Sequence, residues 1–131
     1  MNDDKKAVRL RGHELLDTAE FNKGTAFTTQ EREQYGLRGL LPAAISTQEI
    51  QLHRTLENLR RKAYDIERYI FLMALLGRNK RLFYRLLIEN IDELMPIVYT
   101  PTVGQACQEF AHIFRQPRGF YITADDRGHI E

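Results

Sequence analysis

The chain has 131 residues, 43% apolar and 28% charged, with 19 Lys plus Arg against 18 Asp plus Glu and a net charge of +1. That length allows one domain with a buried core, and the charge balance gives no general pull toward nucleic acid, which needs a basic excess on one face. The single cysteine, Cys107, excludes an internal disulfide and a cysteine-based metal cluster.

In chain order, Met1-Asn2-Asp3-Asp4-Lys5-Lys6 is polar and acidic, unlike a targeting segment, which points to a cytoplasmic protein. Residues to about Gly12 carry no sustained apolar period, and a flexible arm is expected over 1–20. Thr28 with Glu31 spells a capping box, and Gly36 can close the short helix that follows. Ser46 with Glu49 spells a second box, with Ile45 and Ile50 at staple positions, opening a helix to about Arg61 that turns Leu52, Leu56 and Leu59 inward. The cluster Arg60-Arg61-Lys62, flanked by Glu57 and Asp65, reads as a solvated helix end.

The next helix, Asp65 to Leu76, is apolar nearly all round and is therefore expected to be central and buried on most faces. Its densest run, Tyr69–Leu76, falls well short of the roughly 20 residues that span a bilayer. Gly77 is expected to end it, and Asn79 to cap a helix carrying Leu82, Phe83, Leu86 and Leu87. Asn90 with Glu93 suggests a further turn stopped by Pro96, with Ile97-Val98-Tyr99 extended after it. Thr100 and Pro101 then suit the N-cap and first position of a helix with Val103, Ala106, Cys107, Phe110, Ile113 and Phe114 on its apolar face, ended by Pro117 and Gly119. Residues 119–123 are rich in strand formers and Asp125-Asp126-Arg127-Gly128 reads as a turn. A lone strand has no partner, so it looks like the opening strand of a sheet that lies elsewhere.

The expectation is a mainly α fold: a compact multi-helix domain over 21–118, then a short β-strand and turn over 119–131 that begin a following domain. The chain reads as a piece of something larger.

Phosphate-binding loops, dinucleotide fingerprints and zinc-protease motifs are absent from the sequence. His13, His53, His112 and His129 are scattered without carboxylates at ligand spacing and read as surface or structural residues. Cys107, on an apolar face, reads as a buried, inert thiol. One run does suggest chemistry: Met95-Pro96-Ile97-Val98-Tyr99-Thr100-Pro101-Thr102-Val103-Gly104. Two prolines stiffen the backbone around Tyr99, and a helix begins just after it. The positive end of a helix dipole favours a phenolate and so disposes a phenol to proton transfer. Alternatively, Tyr99 is a packed aromatic. Gly104 in a first helical turn costs about 1 kcal/mol against alanine, which either close approach of a ligand or relief of crowding explains.

At this run the chain resembles the malic enzymes. Asn22-Lys23-Gly24-Thr25-Ala26-Phe27-Thr28, Gly39-Leu40-Leu41-Pro42, Arg78-Asn79, Leu82-Phe83-Tyr84-Arg85, Phe114-Arg115, Pro117-Arg118-Gly119 and Asp126-Arg127-Gly128-His129 extend the resemblance over about Asn22 to Glu131. It implies oxidative decarboxylation of L-malate to pyruvate and carbon dioxide, with NAD or NADP reduced and Mg or Mn as the metal. Tyr99 matches the family's catalytic tyrosine, the general acid that protonates the enolpyruvate carbon. The family's lysine, metal ligands and dinucleotide fold lie beyond Glu131, so this chain alone is expected to be inactive, with no cofactor or metal site of its own. Arg54 and Arg78 match arginines that bind an activating fumarate at a subunit interface in some members, although Ser46 and Ala44 stand where those members carry an acid and a lysine. A homo-oligomer, dimer or tetramer, is implied. The competing expectation is a non-enzymatic helical assembly module.

Overall fold

A computed structural model describes residues 9–129, so the expectation of a frayed start over residues 1–8 lies outside the described residues. The rest of the expected arm is not free. Helix α1 (Gly12–Leu16) buries Leu15, which joins Phe21, Phe27 and Leu37 in a small core. Helix α2 (Thr29–Gln34) starts at the expected capping box: the Thr28 hydroxyl accepts from Glu31 N–H while the Glu31 carboxylate accepts from Thr28 N–H. It is followed by Gly36 at φ +67°, where a side chain would be strained. Arg32 ties this lobe together, donating to the carbonyls of Phe27 (2.9 Å), Pro42 (2.6 Å) and Thr25 (3.1 Å). One planar guanidinium thus satisfies three loop carbonyls that no helix or sheet could satisfy.

The larger core is built by α3 (Gln48–Arg60), α4 (Asp65–Arg78), α5 (Lys80–Glu89) and α6 (Ile91–Val98). Leu59, Leu72, Leu75, Leu82, Phe83, Leu86, Leu94 and Ile97 are its buried residues. Leu86 and Leu94 are wholly inaccessible. Helix α4 packs against α3, α5, α6 and the later helix Thr102–Gln108, which makes it central as expected. It is less enclosed than its composition suggests, since Tyr69, Ile70, Phe71 and Met73 remain partly exposed. The two lobes meet at the α4–α5 junction. There Lys80 N–H donates to Ala19 O (3.0 Å) and Asn22 Nδ2 to Arg78 O (2.9 Å).

Several helix boundaries differ from expectation, each for a local reason. The N-cap of α3 is Thr47, whose hydroxyl accepts from Ile50 N–H, and not Ser46. Ser46 is drawn inward instead, with its N–H on Thr25 O and its hydroxyl accepting from Arg54. The shift also takes Ile45 and Ile50 off the staple positions, and both are exposed. Gly77 does not end α4, which continues to Arg78. A Cβ at Gly77 would lie 2.6 Å from Gln116 Oε1, so this glycine gives room to the returning tail. Asn79 caps α5 as expected, its Oδ1 accepting from Leu82 N–H at 3.1 Å. Pro96 sits inside α6 rather than stopping it, so Ile97 and Val98 are helical and not extended. Proline frees the carbonyl four residues back from its helical bond. Pro96 and Asp92 are both exposed, so water can solvate that carbonyl, while buried Leu94 and Ile97 hold the helix to the core.

Past α6 the chain is more open. Helix α7 (Thr102–Gln108) begins one residue after Pro101, with no side-chain cap from Thr100, and Glu109 separates it from the single turn α8 (Phe110–Ile113). Thr102 and Ala106 form the buried stripe of α7, which leaves Cys107 exposed and not buried as expected. Among the described residues no strand forms. The segment 119–123 is irregular, with Phe120 96% exposed, because a strand needs a partner for its backbone donors and acceptors and none lies alongside. Ala124–Asp126 is a 3-10 turn in which Asp126 accepts from Thr123. No helix among the described residues is long and apolar enough to cross a membrane.

Candidate functional site

Tyr99 occupies the turn between α6 and α7. Its N–H donates to Met95 O (2.9 Å), the last bond of α6, and its carbonyl accepts from Val103 N–H (2.7 Å). Gly104 N–H closes on Pro101 O (3.1 Å), and the Thr100–Pro101 peptide is cis. Thr102, only 3% exposed, reaches back across the turn and donates its hydroxyl to Pro96 O at 2.7 Å. A helix end leaves its last carbonyls without partners, and this side chain supplies one.

Tyr99 is 63% exposed above that anchored backbone. The packed-aromatic alternative therefore finds no support in this chain. A Cβ built on Gly104 meets nothing within 4 Å, so crowding does not explain that glycine either. Both residues border open space.

A separate cavity of about 640 Å³ lies between α4 and the returning tail. Arg78, Arg115 and Arg118 lie on its lining together with Tyr69, Met73 and Phe114. The tail is held there by Arg118, which donates to Met73 O at 2.9 Å. Phe110, Phe114 and Tyr121 form a triangle of rings with centroids 5.2, 5.7 and 6.3 Å apart. Neither Tyr99 nor Arg54 lines this cavity. Arg54 is engaged elsewhere, its Nη1 3.2 Å from Ser46 Oγ. Arg78 thus shares a cavity with Arg115 and Arg118, and not with Arg54.

The charged pairs near these features are structural. Burial pushes the Glu31 carboxyl up, but hydrogen bonds from Lys23 and from Thr28 N–H outweigh it, and its pKa is lowered from 4.5. Arg60 grips Glu93 with two bonds of 3.0 and 2.7 Å, which lowers the Glu93 pKa against a smaller opposing effect of burial. Arg85 ties α5 to α3 through Gln48 and Glu49 and also bonds Glu89 on its own helix. Among the described residues no three His, Cys, Asp or Glu side chains gather where a metal ion could bind. The residue that sequence reasoning missed is Thr102. The signal available for it was a threonine just past a proline-bounded helix end, where a spare carbonyl needs a donor.

The family described as the malic enzyme N-terminal domain matches residues 76–131, a span that holds the Tyr99 turn and most of the cavity wall. The NADP-dependent malic enzyme of Anas platyrhynchos is 51% identical over 120 residues, 92% of this chain and 22% of the relative. The chain is thus similar to the N-terminal domain of the malic enzymes over residues 76–131, and to whole malic enzymes over most of its own length. The human NADP-dependent malic enzyme is 50% identical over 126 residues, 96% of this chain and 22% of its own length. The chloroplastic NADP-dependent malic enzyme of Oryza sativa subsp. japonica is 49% identical over 119 residues, 91% of this chain and 19% of its own. The chain therefore spans about a fifth of the length of the malic enzymes it matches.

Proposed function

We propose that this chain is the N-terminal portion of a cytoplasmic malic enzyme that converts L-malate to pyruvate and carbon dioxide with reduction of NADP. The observation that carries this reading is near-50% identity to NADP-dependent malic enzymes over more than nine-tenths of the chain. The relatives' names favour NADP over NAD. The helical domain is read as running over 21–118, with 119–131 opening the domain that follows.

In this reading Tyr99 is the general acid. Its phenol O–H donates a proton to the methylene carbon of enolpyruvate after carbon dioxide has left. A C–H bond forms, the enol hydroxyl gives up its proton as the C=O of pyruvate forms, and the phenolate is reprotonated before the next turnover. An exposed phenol on a backbone anchored by hydrogen bonds suits that task, because proton transfer needs reach and a fixed origin. Mg or Mn and NADP supply Lewis-acid and hydride-accepting chemistry when bound. By the resemblance alone, those sites and the activity are read as needing the rest of a malic enzyme, and the chain alone is read as inactive.

Substituting Tyr99→Phe in the intact enzyme tests the assignment. We expect kcat to fall by about 10²- to 10⁴-fold, the usual span of general acid catalysis. Turnover at the wild-type rate would overturn it, and malate oxidation by the purified 131-residue chain would overturn the inactivity reading. Arg54 and Arg78 are proposed as fumarate-responsive positions, which malate kinetics of Arg54→Ala and Arg78→Ala with and without fumarate would check. An assembly role is supported by the exposed Tyr84, Ile88, Ile91 and Met95 on α5 and α6, and solution mass tests for a dimer or tetramer. Residues 119–123 are read as taking up strand structure once a neighbouring strand is supplied.

A further inference from the structure

We propose that Thr102 is a positioning residue for Tyr99: its buried hydroxyl, donating to Pro96 O, holds the turn in the shape that fixes where the phenol projects. The inference rests on the reading of Tyr99 as the proton donor. Tyr99 is too exposed for neighbouring side chains to hold it, so its place is set by its backbone. That backbone is pinned at two points, Tyr99 N–H on Met95 O at 2.9 Å and Val103 N–H on Tyr99 O at 2.7 Å. Each of these bonds joins Tyr99 to one helix alone, α6 or α7. The Thr102–Pro96 bond, at 2.7 Å, is the crosswise tie that holds the start of α7 against the end of α6.

Thr102 is also the first residue of α7 and is almost wholly inaccessible, so water cannot take over its role without entering the turn. Valine has nearly the same shape and lacks only the donor. Losing the donor leaves Pro96 O without that partner and frees the two helix ends to separate. Proton transfer depends steeply on such placement, since a misplacement of about 1 Å can cost about 100-fold in rate. Binding of malate, made by groups outside this turn, does not share that dependence.

Two measurements test this. In the 131-residue chain, Thr102→Val should speed amide hydrogen exchange at Tyr99 and Val103, while Thr102→Ser should leave it at the wild-type rate. In the intact enzyme, Thr102→Val should lower kcat about 10- to 100-fold with KM for malate within about twofold, and Thr102→Ser should restore it. It should likewise slow deuterium exchange into the methyl group of pyruvate, which reports proton transfer at carbon directly. If the valine variant does not fold, Thr102→Ser against Thr102→Ala isolates the hydroxyl in the same way. Unchanged amide exchange at Tyr99 and Val103, or equal losses of kcat in the serine and valine variants, would overturn the inference alone. Full activity of Tyr99→Phe would remove the reading of Tyr99 as the acid, and the inference with it.

Discussion

The stretch from α3 to α6 and the stretch after Tyr99 both carry helices, yet they differ in how they are held. In the first, leucines from every helix converge, and Leu59, Leu72, Leu75, Leu86 and Leu94 are at most 1% exposed. In the second, among the described residues only Thr102 and Ala106 are buried, and Phe110, Phe114, Phe120, Tyr121 and Ile122 all keep large exposed faces. The first stretch is the richer in apolar residues. Partners separate the two further: the first stretch finds its own, while the second keeps aromatic surface exposed among the described residues. Exposed apolar patches of this kind mark contact surfaces. The Tyr99 turn lies at the border between the two, anchored on the packed side and open on the other.

The contrast can be broken most forcefully at Leu86. Leu86→Ala should destabilise the chain by about 2–5 kcal/mol, the cost of a cavity in a core that cannot collapse, as read by urea unfolding. A loss below about 1 kcal/mol would mean that the α3–α6 core is loosely packed. A smaller effect is expected at Asn79. Removing its cap of α5 by Asn79→Ala should cost about 0.5–2 kcal/mol, with unfolding still a single transition. Smaller again is the response to acid. The pKa values of Glu31 and Glu93 are lowered from 4.5 in the folded chain, so the stability they confer is present above that value and lost as pH falls through the folded values. The urea midpoint should therefore stay level from neutral pH to about 5 and decline below it, with Glu31→Gln flattening the decline. A midpoint that rises on acidification would contradict the assigned pairs. At the bottom of the scale, Phe120→Ala should change stability by less than about 0.5 kcal/mol, despite the size of the side chain. A larger loss would show that the tail is held more firmly than its exposure indicates.

Much of the helical layout was legible in the sequence because it depends on neighbours a few residues apart. The Thr28–Glu31 box, the Asn79 cap and the inward leucines of α3 and α5 all act within one or two helical turns. The errors arose where a distant group intervened. Ser46 lost its capping role to Thr47 because Arg54 and Thr25 O compete for its polar groups. Pro96 did not break α6, because burial of Leu94 and Ile97 outweighed one missing bond. Cys107 emerged on the surface because α7 turns a narrower stripe inward than its apolar pattern covers.

Of the candidate site, Tyr99 was singled out by its surroundings in sequence, with a packed aromatic as the alternative, whereas the arginine-lined cavity gave no sign. The cavity depends on the tail returning to α4, a contact such as Arg118 with Met73 that no local pattern encodes. Thr102 lies between these cases. Its position was visible, but its partner became known only once α6 was seen to run through Pro96.

The junction at Arg78 and Lys80 has a practical consequence for anyone who shortens this protein. Its external ties include Ala19, Glu20 and Asn22, residues at or just past the edge of the flexible arm expected from the sequence. Trimming the chain to begin after residue 22 would strip these ties from the point where the central helix hands over to the next. A deletion chosen to tidy the N-terminus would then loosen the far end of α4, and with it the wall that carries Arg78.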